Sequence, residues 1–368
     1  MARTPAHGYP VVWLLLSDKT GDNAQLMVVA EALPWPCQIR RIAVREPYRI
    51  GKPKIAGSLH HIDAAQSDSL QPPWPELVIT IGRRLSMVAL WIKAQSGGRT
   101  KVALLGPPKG MDGSFDLVVV SEQYRQRPQD NMLRIMYPLQ RVDEAAISTE
   151  AALWQDEFAP LARPLTAVLV GGLTKAVRFD VDAALSLADD LAGFARREQG
   201  TLVVTTSRRT PPEASGILAQ RLPPGAVFHP WSPDGRRNPY RALLGLADRF
   251  IVTSDSLSML MEVARLGRPL AIYRLPPSSW LAGFLEGKLG QGTAARRLLD
   301  PLAELAERMG ALGHHRNLNA IPRSLKHDGF AVWFGEPFRR EGPRPVDQLP
   351  DVVGRIVALV EPPRAHTI

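Results

Sequence analysis

An α/β protein with parallel sheets and crossover helices is predicted on three observations. Short β-branched runs alternate with helix-length segments along the 368-residue chain. The series occurs twice in succession. The composition, 45% hydrophobic and 22% charged, is that of a globular chain long enough for two cored domains.

In the first series the strands are predicted at 11–16, 39–44, 77–81, 102–105, 117–120 and 133–136, with helical patterns at 22–33, 84–94 and 143–157. In the second they fall at 165–170, 202–205, 226–229, 249–253 and 270–273, separated by helices near 180–197, 213–221, 240–246 and 256–266. A Pro-containing stretch at 158–164, with Pro160 and Pro164, divides the two series. This gives an N-terminal domain over 1–160 and a C-terminal domain over 161–335. Beyond Tyr273 strand character fades into a Pro/Ser turn at 276–279, a helix near 293–309 and a basic, loop-like stretch. The tail, 336–368, carries an amphipathic segment at 346–360 suited to packing back on either domain.

The first apolar run, 11–16, is far short of the roughly 20 residues of a membrane span, and no signal-peptide pattern precedes it. A cytoplasmic protein is expected. Cys37 is the single cysteine, so neither an internal disulfide nor a Cys-rich zinc site can form. The formal charge of +9 favours anionic partners. Basic residues are spread along the chain with no interleaved basic-aromatic stripe, so nucleic acid is not expected among them. No metal motif appears: His60-His61 and His314-His315 are adjacent pairs without a helix-spaced partner and read as surface histidines.

Three segments after strands of the second series carry candidate chemistry. In 251–269, IVTSDSLSMLMEVARLGRP, a strand and a polar turn lead into a helix with Asp255 as candidate N-cap and Gly267 and Pro269 as stop signals. Leu257, Leu260, Met261 and Ala264 form its core stripe, leaving Glu262 off it on a face with Ser258 and Asp255. Ser254, Asp255 and Ser256 thus stand at a helix N-terminus suited to a diphosphate, and Glu262 at the distance of a ribose. The plainer alternative is a capped surface helix. In 167–175 the strand ends on Gly171-Gly172, with Thr174 and Lys175 as hydroxyl and charge donors, although an ordinary β-turn-α connection has the same look. In 205–211, TTSRRTP, Ser207, Arg208 and Arg209 follow a strand directly. All three lie at the carboxyl edge, where open α/β sheets bind ligands. A Walker A loop, a Gly-x-Gly-x-x-Gly fingerprint and a Gly-x-Ser-x-Gly elbow are all missing, which argues against ATPase, dinucleotide-dependent and serine-hydrolase readings.

The first series has its own edge candidates. SDKTGDNAQ (17–25) follows the first strand, with Asp18, Gly21, Asp22 and Gln25, and Gly82-Arg83-Arg84 follows the strand at 77–81. They read either as an acceptor or anion pocket or as a solvated turn and a basic helix start.

The series GGLTK (171–175), TTSRRTP (205–211), DGRRNPY (234–240) and VTSDSLSMLMEVARLGRP (252–269), with SDKTGDNAQ before it, resembles the bacterial branch of the plant mitochondrial-fission "elongated mitochondria" family, over roughly 11–337. Ala24 departs from that pattern, which has Asn before Gln25. The resemblance implies a glycosyltransferase-B-like (GT-B-like) architecture: two Rossmann-like domains facing across a cleft, with the nucleotide on the C-terminal one. The second-domain pattern is similar to the undecaprenyl-linked N-acetylglucosamine transferases, in which a glutamate matching Glu262 binds ribose. A metal-independent transferase is then expected, with a nucleoside-diphosphate sugar as co-substrate and no other cofactor. Its partners would include a lipid-linked or glycan acceptor and an anionic membrane surface at the inner membrane. Gly171, Gly172, Thr174, Lys175, Ser207, Arg208, Arg209, Ser254, Asp255 and Ser256 would hold the diphosphate. Asp18 or Asp22 would be the base, and Gly21, Gln25, Gly82, Arg83 and Arg84 would face the acceptor. A non-catalytic nucleotide- or partner-binding scaffold is the alternative.

Overall fold

The computed structural model describes residues 8–50, 56–108, 111–124, 126–174, 177–234, 237–276, 320–339 and 343–360. The chain divides into two compact units, unit 1 from Met1–Gln140 with Val346–Ile368, and unit 2 from Arg141–Pro345. The expected helix near 293–309 and the His314-His315 pair lie outside the described residues.

Unit 1 runs β1 (Val12–Leu16), α1 (Thr20–Ala32), β2 (Cys37–Arg41), α2 (Glu46–Ile50), β3 (Leu77–Ile81), α3 (Gly82–Gln95), β4 (Lys101–Leu105), β5 (Leu117–Ser121) and β6 (Met132–Ile135). The six strands form one sheet, β2-β1-β3-β4-β5-β6, in which every pair is parallel. β1, β3 and β5 are buried at every residue, as strands covered on both faces must be, and Val, Leu and Ile supply that burial. Chain order reverses between β1 and β3, the place where such sheets open a crevice at their carboxyl edge.

Unit 2 runs α4 (Glu144–Phe158), β7 (Leu165–Val170), α5 (Val181–Arg197), β8 (Thr201–Thr206), α6 (Pro212–Arg221), β9 (Val227–His229), α7 (Tyr240–Leu246), β10 (Arg249–Thr253), α8 (Leu257–Arg265), β11 (Leu270–Tyr273), α9 (Ala320–His327) and β12 (Val332–Trp333). Its sheet, β12-β11-β10-β7-β8-β9, is also six-stranded and parallel. In domain order this is 3-2-1-4-5-6, the Rossmann arrangement, with its reversal between β7 and β10. Asp143 and Asp180 cap α4 and α5, accepting from Ala146 N–H at 2.9 Å and Ala183 N–H at 3.1 Å.

The sequence places α4 before the domain boundary, whereas in the structure it lies in unit 2. Trp154 of α4 stacks on Phe158 with centroids 5.5 Å apart, and the edge of the β9 residue His229 meets both rings. The stretch read as loop-like beyond Tyr273 holds α9 and β12, and β12 pairs with β11 through Ala271–Val332 and Ile272–Trp333. His61 is buried, not a surface residue. Its Nε2 lies 2.9 Å from the Arg84 carbonyl, and desolvation lowers its pKa. The tail helix α10 (Leu349–Val357) packs against α1, with Val352 and Ile356 on its i, i+4 face joining the cluster of Leu14, Leu26 and Ile79.

Ile356→Ala therefore removes methylenes from a filled core rather than from a loose tail. The expected loss is about 2–5 kcal/mol in the unfolding transition of unit 1. Urea titration followed by tryptophan fluorescence measures it, and a loss under about 0.5 kcal/mol, the size of a surface effect, would show that the tail does not hold the unit.

Candidate functional site

The carboxyl ends of β7, β8 and β10 bring the three segments of unit 2 together. β10 leads into the buried triplet Ser254, Asp255 and Ser256. Asp255 does not cap α8. The N-cap is Ser256, and the Asp255 carboxylate turns instead toward the loop after β7. There Oδ2 accepts from Gly172 N–H at 2.7 Å, and Oδ1 accepts from the Thr253 hydroxyl at 2.7 Å. The same Thr253 oxygen accepts from Gly171 N–H at 2.8 Å. Arg209, from the loop after β8, brings Nη2 to 3.6 Å from Asp255 Oδ2 and donates to Ser256 Oγ at 3.3 Å.

This packing explains the two glycines. A Cβ on Gly171 would overlap the Asp255 carboxylate and Ser256 Oγ, and one on Gly172 would overlap the Arg209 backbone. The backbones stay together through Leu173 N–H to Arg209 O at 3.1 Å, and Thr210 Oγ1 donates to the Gly171 carbonyl. The glycine N–H groups are therefore engaged within the protein. Their role is close approach, and the sequence reading that gave them and Asp255 to a phosphate is corrected to that extent.

The remaining predicted residues divide in the same way. Ser254 Oγ accepts from Leu275 N–H at 3.1 Å, tying β10 to the chain after β11. Ser207 Oγ accepts from Arg209 N–H at 3.2 Å, and Thr174 Oγ1 from Val177 N–H at 3.3 Å. Arg208 is exposed, and the Arg209 side chain is 47% exposed, so both guanidinium groups reach solvent at this edge. Lys175 lies outside the described residues. α8 presents first-turn N–H groups that have no partner within the helix. Glu262, half-buried on the same helix, accepts from the Tyr240 hydroxyl at 2.5 Å. Tyr240 and Trp231 were missed from the sequence. Trp231 follows β9, is 39% exposed, and its N–H donates to Thr206 Oγ1 at 2.8 Å, which holds it against the end of β8.

In unit 1 the loop after β1 is held by Asn23, whose Oδ1 accepts from Ser17 N–H at 3.1 Å and whose Nδ2 donates to the Ser17 carbonyl at 2.7 Å. Asp18 and Gly21 are exposed, and Gln25 is half-buried. Asp22 lies 3.8 Å from Lys19 and beside Gly82, where φ is +75° and a Cβ would stand 3.7 Å from Asp22 Oδ2. A concavity of about 240 Å³ is lined by Ser17, Asp18, Asn23, Arg41, Arg49 and Gln66. A larger one, about 490 Å³, lies elsewhere, among Ser121, Glu122, Tyr124, Arg127 and Arg134. Arg84 donates to the Arg49 carbonyl, and Arg83 is half-buried beside it at the start of α3. Among the described residues no group of three or more His, Cys, Asp or Glu is placed to hold a metal ion.

A family model described as "Mitochondrial fission ELM1" matches residues 20–316. The chain belongs to that family. It is 27% identical over 228 residues to the mitochondrial fission protein ELM1 of Arabidopsis thaliana, covering 56% of this chain and 53% of that protein. The chain thus spans about half the length of the plant relative. It is 23% identical over 298 residues to the uncharacterized protein RP120 of Rickettsia prowazekii (strain Madrid E), covering 72% of this chain and 83% of that one. Among solved structures, a glycosyltransferase from Rickettsia africae ESF-5 matches with a TM-score of 0.50 at 9% identity, covering 95% of this ELM1-family chain and 98% of that one. At that identity the likeness is one of fold, GT-B-like, and agrees with the two Rossmann-like sheets.

Burial raises the Asp255 carboxyl above its ordinary value, against the opposing hydrogen bonds of Thr253 and Gly172 and the charge of Arg209. A carboxyl raised in the fold stabilises fully at low pH, and that contribution is lost as pH climbs through the folded pKa. Relative to Asp255→Asn, the unfolding free energy of the wild type should therefore decline from about pH 4 upward, where a free Asp ionises. Urea titrations across pH 4–7 measure the difference, and parallel curves for the two proteins would contradict it.

Proposed function

We propose that the carboxyl edge of β7, β8 and β10 binds a nucleoside diphosphate, and that the chain is a glycosyltransferase-like protein using a nucleoside-diphosphate sugar. The observation that carries the reading is Arg209, held by a buried carboxylate and Ser256 at the start of α8, where the strand order reverses. Arg208, Arg209, Lys175 and the first-turn N–H groups of α8 would supply the positive field for the diphosphate, with Thr174, Ser207 and Ser256 as hydroxyl partners. Gly171, Gly172, Ser254 and Asp255 shape the edge. Glu262 would accept from ribose hydroxyls, and Trp231 offers an aromatic face on the same edge.

In the transfer, the acceptor oxygen bonds to the anomeric carbon, the bond from that carbon to the diphosphate breaks, and the acceptor proton passes to a base. Fixed cationic donors stabilise the leaving diphosphate electrostatically, the task a metal performs in other transferases, so no metal is required. Asp22 or Asp18 is the base in this scheme, with Gly21, Gln25, Gly82, Arg83 and Arg84 on the acceptor side. A scaffold that binds nucleotide without transfer is the second reading, favoured by the internal engagement of the Gly171 and Gly172 N–H groups and by the fission role in the family's name.

Replacing Arg208 and Arg209 with Ala should weaken binding of UDP, GDP or ADP by at least about 10-fold while changing affinity for the bare nucleoside little. Titration calorimetry compares the two, and equal losses would remove the phosphate role. Transfer from labelled nucleotide sugars then separates enzyme from scaffold.

No helix among the described residues is long and apolar enough to cross a membrane. The net charge of +9 supports a peripheral attachment to an anionic surface, which would suit a lipid-linked acceptor. The basic-start helix α3 buries Leu85 and Val88 in the core and packs Trp91 against Trp74 at 5.8 Å, so it offers little apolar surface to lipid. Attachment should therefore be chiefly electrostatic: co-sedimentation with phosphatidylglycerol vesicles at low salt, lost by moderate salt. Absence of binding at low salt refutes it.

A further inference from the structure

We infer that the concavity at the carboxyl ends of β5 and β6 in unit 1 is a subsite for an acidic sugar, with the anion on Arg127 and Arg134 and ring hydroxyls donating to Glu122. Giving that sugar to the acceptor rests on the transferase reading above; the subsite itself does not. The cavity measures about 490 Å³, within the roughly 300–1,000 Å³ of small-molecule sites, and Ser121, Glu122, Tyr124, Gln126, Arg127 and Arg134 are in its lining. Its wall is fixed by the sheet and by a tight turn. Ser121 pairs with Ile135 in the β5–β6 register, and Glu122 N–H continues that ladder to the Ile135 carbonyl at 3.0 Å. Tyr124 N–H then donates to the Ser121 carbonyl at 3.0 Å, and the buried Gln123 amide donates to Ser121 Oγ at 2.8 Å. Arg134, on β6, donates to the Gln126 carbonyl and so ties the loop after β5 back to the strand.

The charges on this wall are not spent on each other. Among the described residues the side chains of Glu122 and Arg127 make no hydrogen bond or ion pair, although both line the cavity, and the Arg134 guanidinium donates to a neutral carbonyl. A ligand therefore breaks no internal ion pair on entering. Two guanidinium groups with open donors match a carboxylate or a phosphate, which such groups take in bidentate fashion. A bare anion is opposed by the Glu122 carboxylate on the same wall. A ligand that carries hydroxyls beside its anion turns that carboxylate into an acceptor, and an acidic sugar holds both groups on one ring. Three strand spacings, about 14 Å, separate β5 from β1, whose loop carries Asp18 and Asp22. An acceptor with its acidic sugar here thus offers its reacting hydroxyl from another sugar of an extended chain.

Ligand-observed NMR titration without nucleotide tests this with glucuronic acid, glucose 6-phosphate, glucose and inorganic phosphate. Glucuronic acid, glucose 6-phosphate or both should bind at least about 10-fold more tightly than glucose, and the preference between the two tells a carboxylate ligand from a phosphate one. Arg127→Ala, which removes no side-chain bond of the fold and is checked by circular dichroism, should weaken the bound acidic sugar about 3- to 10-fold. Glu122→Gln should weaken it by a similar factor while inorganic phosphate binds at least as well as before. No binding of either acidic sugar, equal binding of glucose, indifference to either variant, or a loss caused by Arg208→Ala and Arg209→Ala in place of Arg127→Ala would overturn the subsite. Each of those outcomes leaves the nucleoside-diphosphate reading standing. A chain that binds acidic sugar but no nucleotide keeps the subsite and loses only its assignment to an acceptor.

Discussion

The carboxyl edge of β7, β8 and β10 in unit 2 depends on one buried carboxylate. Asp255 has lost its water and regains partners from three places: the Gly172 amide after β7, the Thr253 hydroxyl at the end of β10 and the Arg209 guanidinium after β8. An isolated buried charge is costly, and only a fully bonded one is tolerated. That requirement draws the strand ends together and excludes a side chain at Gly171 and Gly172. It also leaves Arg209 with one edge satisfied from below and nearly half its side chain in solvent. A structural constraint thus places a partly exposed cation at this edge.

Unit 1 solves the corresponding problem without a buried charge. Its β1 loop is held by the Asn23 amide, which serves both backbone groups of Ser17, and Asp22 remains only partly covered. One edge is built around a carboxylate that must be neutralised, the other around a neutral amide that leaves its acids open to solvent.

The sheets were legible because parallel strands buried on both faces leave unbroken runs such as LVITI and LTAVLV, and because Asp143 and Asp180 are caps whose partners lie three residues away. What escaped depended on distance or brevity. Asp255 at a helix start has the look of a cap, and its true partner Gly172 is 83 residues away. Tyr240 gave no local sign of Glu262, 22 residues on. The two-residue β12 is too short to show a period of two. α4 is equally amphipathic whichever unit it serves, and the Trp154–Phe158–His229 cluster decides the matter only in three dimensions. Adjacent histidines gave no hint that His61 would be buried and His60 exposed.

The central claim is that unit 2 is a nucleoside-diphosphate site, and a thermal-shift panel of UDP, GDP, ADP and CMP sugars tests it most directly. A ligand held at 100 times its dissociation constant stabilises the unit that binds it by about 2.7 kcal/mol. The account predicts such a shift for at least one diphosphate sugar, confined to the unit 2 transition and absent after Asp255→Ala. A panel that leaves unit 2 unmoved, or that moves unit 1 instead, would contradict it.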